Sequence, residues 1–166
     1  MAHASDYVEI SQLLKTGKAA EALSKADQRL TTAPRDPQLR FLRGVAQTDM
    51  GQTDAAIATF TQLIQEYPEL PEPYNNLAVI YASQNQLDKA RTALEMAVRN
   101  NPSYAAAHEN LGDIHARLAY QAYAKAQQLE TSNPAIKSKL TQLRELFQPA
   151  PATAAGAAAK PTASRP

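Results

Sequence analysis

His108 and His115 are the side chains best suited to acid–base or metal chemistry in this chain. They stand seven residues apart, which places both on one face of a helix. A helical zinc pair is more often spaced by four, with an acid nearby. His3 lies far off at the N-terminus and reads as solvated. There is no cysteine, so thiolate nucleophiles, thiolate metal sites and disulfides are excluded. Neither a Gly-x-Ser-x-Gly elbow nor a glycine-rich phosphate loop occurs. Glu66, Glu69 and Glu72 gather around the Pro68–Pro73 turn. Acids at that place read as solvated helix-start residues, and a calcium loop needs denser oxygen ligands. The expectation is a protein with no enzyme activity, no metal and no cofactor.

Composition narrows the partners. The 166 residues suffice for one domain of ordinary size, and 17 Lys+Arg against 16 Asp+Glu leave a formal charge of +1. Nucleic-acid binders usually carry a strong basic excess, so the expected partner is protein or peptide, not nucleic acid. No apolar run approaches the ~18 residues of a spanning helix, and no membrane insertion is expected. The opening Met1-Ala2-His3-Ala4-Ser5-Asp6 has no charged and no apolar leader region. The expected compartment is periplasmic if a leader has been removed and cytoplasmic otherwise.

These side chains must be positioned by a repeat. Laid over itself at an offset of 34, the chain aligns Pro34 with Pro68 and Pro102, and Ala22 with Ala56 and Ala90. Leu30, Ile64 and Val98 coincide, as do Gly17, Gly51 and Asn85, and Gly44, Ala78 and Gly112. Each column has a task. The Gly/Asn column ends a helix in the left-handed conformation. The small column lets two helices approach. The Leu/Ile/Val column is core. The prolines close each unit, because proline cannot continue a helix interior. Between the markers the apolar residues recur with helical period, as in Leu87, Ala90, Leu94, Ala97 and Val98. Helices are expected near 4–15, 18–32, 37–50, 53–67, 71–84 and 87–100.

Two stretches carry a resemblance. Pro73-Tyr74-Asn75-Asn76-Leu77-Ala78-Val79-Ile80-Tyr81 is similar to the first-helix signature of the tetratricopeptide-repeat (TPR) family. Gly51 to Pro68, with Ala56 and Phe60, resembles its second-helix signature. The resemblance covers roughly residues 3 to 147 and implies an all-α solenoid of stacked antiparallel helix pairs in a right-handed superhelix. The units fall near 3–36, 37–70, 71–104 and 105–133, followed by a helix at 134–147. The first departs from the pattern, with Asp6 and Glu9 where the aromatic and leucine belong. His108 and His115 fall in the columns of Tyr74 and Tyr81, and so are expected to fill packing positions. Residues 148–166 form an Ala/Pro-rich segment without a large apolar side chain, expected to be a disordered tail or linker. A compact TPR stack followed by such a linker also resembles accessory domains of bacterial envelope proteins.

In this family the first helix of each pair lines a concave groove. The resemblance therefore places Gln38, Phe41, Leu42 and Val45, then Asn75, Asn76 and Val79, then Glu109, Asn110, Asp113 and Arg117 along it. Asn76 and Asn110 share a column. Their amides either read an extended peptide main chain, donating and accepting at once, or bond within the solenoid. The subgroup that grips acidic chaperone C-termini uses Lys and Arg here, and this chain offers Arg117 alone. The groove reads as apolar at one end and amide-rich at the other, suited to an extended, partly apolar peptide.

The pattern breaks after Leu118. Ala126 aligns with Ala97 only if five residues, those of the turn, are missing. From Ile114 to Glu130 there is no Gly, Pro, Asn, Asp or Ser. One fused helix is therefore expected from about 105 to 131, and a last one near 134–147. Residues 119–131 cannot fold back on 105–118, which leaves an apolar stripe uncovered. Two outcomes are open: a homodimer formed by exchange of C-terminal helices, through Leu118, Ala122, Ala126, Leu129, Leu140 and Leu143, or a monomer in which Arg117–Tyr120 turns tightly or the last helix folds back over the stripe.

Overall fold

The computed structural model describes residues 4–148; His3 and the Ala/Pro-rich segment from Pro149 onward lie outside them. The described residues are helical with short turns: α1 Ala4–Lys15, α2 Ala19–Leu30, α3 Pro37–Asp49, α4 Thr53–Glu66, α5 Pro71–Ser83, α6 Leu87–Asn100, α7 Ala105–Leu129 and α8 Pro134–Leu146. The helix within each hairpin ends where the sequence places a residue able to turn left-handed. Gly17, Gly51 and Asn85 have φ of 75°, 71° and 58°. The next amide then reaches back in the same way each time: Lys18 to the Leu13 carbonyl at 2.8 Å, Gln52 to Gln47 at 2.9 Å, and Gln86 to Tyr81 at 2.8 Å. The starts are equally local. Pro37, Pro71 and Pro134 open α3, α5 and α8, where a missing N–H costs nothing. Asp36 and Asn133 cap α3 and α8 through the amides of Leu39 and Ala135.

Two compact units divide within α7, one ending at Leu118 and the other beginning at Ala119. In the first, α1 to α6 form three antiparallel hairpins. Each second helix buries its small and large apolar residues against the first helix of its own hairpin and of the next. Ala56, Phe60 and Leu63 on α4 are wholly buried among Leu77 and Ile80 of α5. Ala90, Leu94 and Ala97 on α6 are buried with Tyr74, Ala107 and Ile114. At Gly44 the approach is closest: a Cβ there would stand 2.6 Å from the Phe60 ring.

Where the column calls for an aromatic, charge pairs take its place in two hairpins. Asp6 is buried and pairs with Arg29 at 2.9 Å. Arg40 is buried and holds Glu66 in a two-pronged bond of 2.8 and 3.0 Å. That bond lowers the Glu66 carboxyl below its ordinary range.

The fused helix is present: α7 runs for 25 residues without interruption. In the second unit, α8 buries Leu140, the Lys139 ammonium lies over the Tyr123 ring at 5.0 Å, and Arg144 donates to the Tyr120 hydroxyl at 3.0 Å.

One expectation fails. His108 and His115 do not fill packing positions; both are exposed. Tyr74, in the column of His108, is buried because α6 folds back over α5. Past Leu118 the chain stays in the same helix, so the turn that closes the hairpin over Tyr74 has no counterpart here. His108 pairs instead with the Pro102 carbonyl through Nε2 at 2.8 Å.

Candidate interaction groove

The first helices of successive hairpins lie side by side, and specific bonds fix α7 against α5. The Asn110 amide donates to the Asn75 side-chain oxygen at 2.9 Å. The Arg117 guanidinium donates twice to the Ala82 carbonyl at 3.2 Å and reaches Asn85 at 3.4 Å. The Ala82 carbonyl, at the end of α5, also accepts the Asn85 amide at 3.1 Å, so Arg117 adds to a turn that is already closed.

The groove residues expected from the sequence separate into three kinds. Leu42 is buried with Ile10, Ala22 and Leu39, and Val45 is half-buried against the Phe60 cluster. Leu42 therefore packs the core. Asn75, Asn110 and Arg117 are spent on the bonds that tie α7 to α5. The remainder is accessible: Gln38, Glu109 and Asp113 are exposed, Phe41 and Asn76 are half-buried, and Val79 is 49% exposed. The Asn column thus divides: Asn110 bonds inside the stack, while Asn76 has no such bond.

A cleft of about 220 Å³ opens at one end of this face. Pro37, Gln38 and Phe41 of α3 form one wall, and Leu70, Glu72 and Pro73 the other. The Phe41 ring is held by Phe60 at 5.8 Å between centroids, so the wall is set before any ligand arrives. Leu70, Glu72 and the two prolines are absent from the positions expected. Pro37 opens α3, Leu70 caps α5, and Glu72 and Pro73 stand in its first turn; the signal for them is the Pro-led helix start.

Glu72, Glu109 and Asp113 have no ion-pair partner among the described residues. Burial raises the Tyr104 phenol above its ordinary value, and the nearby Glu72 charge adds to the rise. The accessible face is therefore an apolar cleft continued by an amide, a valine and carboxylates. Among the described residues no three His, Cys, Asp or Glu side chains converge on a point that could hold a metal. No described helix is long and apolar enough to cross a membrane.

Comparison with known proteins agrees with this architecture. Two family profiles described as tetratricopeptide repeat match residues 7–71 and 47–114. A tetratricopeptide repeat domain-containing protein of Arabidopsis thaliana, PYG7, is 30% identical over 100 residues, which are 55% of this chain and 33% of that protein. The chain thus spans about a third of that relative. Among solved structures, the thermophilic TPR protein TTC0263 of Thermus thermophilus superposes with a TM-score of 0.65 at 25% identity, over 87% of this chain and 82% of that one. The first TPR of Spaghetti (RPAP3), bound to the HSP90 peptide SRMEEVD, superposes with a TM-score of 0.63 at 18% identity, over 69% and 91%. With hairpins, turns, small-residue columns and profiles all in agreement, this chain belongs to the tetratricopeptide-repeat family.

Proposed function

We propose that this chain is a non-catalytic scaffold that takes an extended, partly apolar peptide along the face of α3, α5 and the first half of α7. The carrying observation is the cleft between Phe41 and Leu70, prepared by Phe60 and continued by Asn76 and Val79. An apolar peptide side chain fits the cleft, and the Asn76 amide can pair with the main chain beside it. The RPAP3 domain, which shares this fold and is bound to the peptide SRMEEVD, supports a peptide as the ligand. The sign of the charge argues for a different ligand here. Arg117 is already committed to Ala82, and Glu72, Glu109 and Asp113 repel an acidic peptide.

An array of immobilised heptapeptides, SRMEEVD included, tests the reading. The parent chain should retain peptides with a large apolar residue and no acidic run, and Phe41→Asp should abolish retention. Retention of nothing, or retention unaffected by Phe41→Asp and by Val79→Asp, would overturn it.

A further inference from the structure

Two surfaces that meet in each complete hairpin are both present in the last unit and stay apart. The inter-unit loop fixes the alignment. Residues 130–133 follow the same course as 101–104 before α8 and α7 begin. The offset here is 29 instead of 34, so Ala119, Tyr123 and Ala126 stand where Ala56, Phe60 and Leu63, and then Ala90, Leu94 and Ala97, stand before them. Those six are at most 1% exposed. Ala119, Tyr123 and Ala126 are only half-buried. The opposite surface is equally unmet. Gly44 receives the Phe60 ring at contact distance, whereas a Cβ on Gly112, in the same column, would meet nothing within 4 Å. Gly112 and Tyr123 lie on one unbroken helix, and a helix cannot lie along itself.

We propose that a second copy of this chain completes the unit: two α7 helices pair antiparallel, with Tyr123 of each seated over Gly112 of the other. The twofold axis then passes between Arg117 and Leu118, midway from residue 112 to 123, and the contact is self-complementary. The occupant is set by more than shape. At the same offset α8 aligns with the first helices, and Lys139 takes the column of Asn76 and Asn110. In the stack Asn110 bonds back to Asn75 of the preceding first helix at 2.9 Å. In the pair α8 of the second copy follows α7 as α7 follows α5, so its Lys139 meets Glu109, the residue in the column of Asn75. Neither has an ion-pair partner within its own chain among the described residues. The complement is a cation for a carboxylate, supplied twice by the symmetry. The pairing shares Glu109 with the first-helix face but needs no bound peptide.

Light scattering on the full chain, with helicity followed by circular dichroism, tests it. The parent should be a dimer. Gly112→Leu should be a monomer of unchanged helicity, because a Cβ at this position meets nothing within 4 Å in its own chain while the leucine blocks the Tyr123 seat. Glu109→Lys and Lys139→Glu should each weaken dimerisation by about tenfold, and the double reversal should recover most of the loss. A parent that is monomeric at several hundred micromolar, a dimer that survives Gly112→Leu, or charge reversals that do not rescue each other would overturn the proposal.

Discussion

Asn110 on α7 donates to Asn75 on α5 at 2.9 Å, and Asn75 is buried. The neighbouring Asn76, in the same column as Asn110, has no such bond and is half-buried on the accessible face. The two residues should therefore respond in opposite ways. Asn110→Ala strands a buried amide and should cost about 1–3 kcal/mol of stability. Asn76→Ala should leave the melting temperature unchanged and weaken a retained peptide by about 0.5–1.5 kcal/mol. Thermal melts and anisotropy titrations on both variants check this; equal melting losses would show Asn76 to be structural as well.

The Arg40–Glu66 pair gives the fold a dependence on pH. The bond from Arg40 holds the folded Glu66 carboxyl below its ordinary value. A depressed folded value means that the contribution is complete above the unfolded carboxylate value of about 4.3 and disappears as pH falls through the folded one. Glu66→Gln should melt below the parent at pH 7, since Arg40 is buried and loses a charged partner. The gap should close as the pH drops toward about 3. A gap that stays constant over that range would show that the carboxylate charge contributes nothing.

Much of this was legible before any coordinates, because the repeat compares the chain with itself. The turn residues Gly17, Gly51 and Asn85 were aligned by sequence and share a positive φ. The missing turn after Leu118 was visible as a run without breakers, and α7 is unbroken there. Column logic failed where it assumed that every column keeps its neighbours. His108 inherits the column of Tyr74 but not the helix that covers it. Arg40 occupies the same column and is buried only because Glu66, 26 residues later, neutralises it. The choice between Asn75 and Asn76 as the partner of Asn110 depends on how far one helix is rotated against the next, which spacing does not record.

Gly44 lies in the small-residue column, and its size is required by one neighbour. A Cβ would stand 2.6 Å from the Phe60 ring, which is itself fully buried and packed on Phe41. Gly44→Ala in a helix interior would ordinarily gain about 0.5–1 kcal/mol. Here the ring must move within a packed core, at a cost of about 1–3 kcal/mol, so the net change should be destabilising. Denaturant unfolding measures it directly. A stabilised variant would mean that Phe60 can shift freely, and the Phe41 wall of the cleft would then not be fixed either.

Restoring the turn should convert one helix into two. Five residues containing a Gly or Asn, patterned on the Gln84-Asn85-Gln86 turn, inserted between Leu118 and Ala119 would return the unit to the length of its neighbours. Residues 119–129 could then fold back, placing Tyr123 over Gly112 of the same chain as Phe60 lies over Gly44. The change should show in how each background answers Gly112→Leu. In the parent, at a concentration where it is monomeric, a Cβ at residue 112 has open space around it and the melting temperature should stay within a degree or so, as for ordinary exposed substitutions. In the insertion variant the same leucine collides with Tyr123 and should cost about 1–3 kcal/mol. The helix break itself should appear as rapid amide exchange at the inserted residues, with slow exchange on either side. Equal responses to Gly112→Leu in both backgrounds would mean that 119–129 does not pack where the repeat places it.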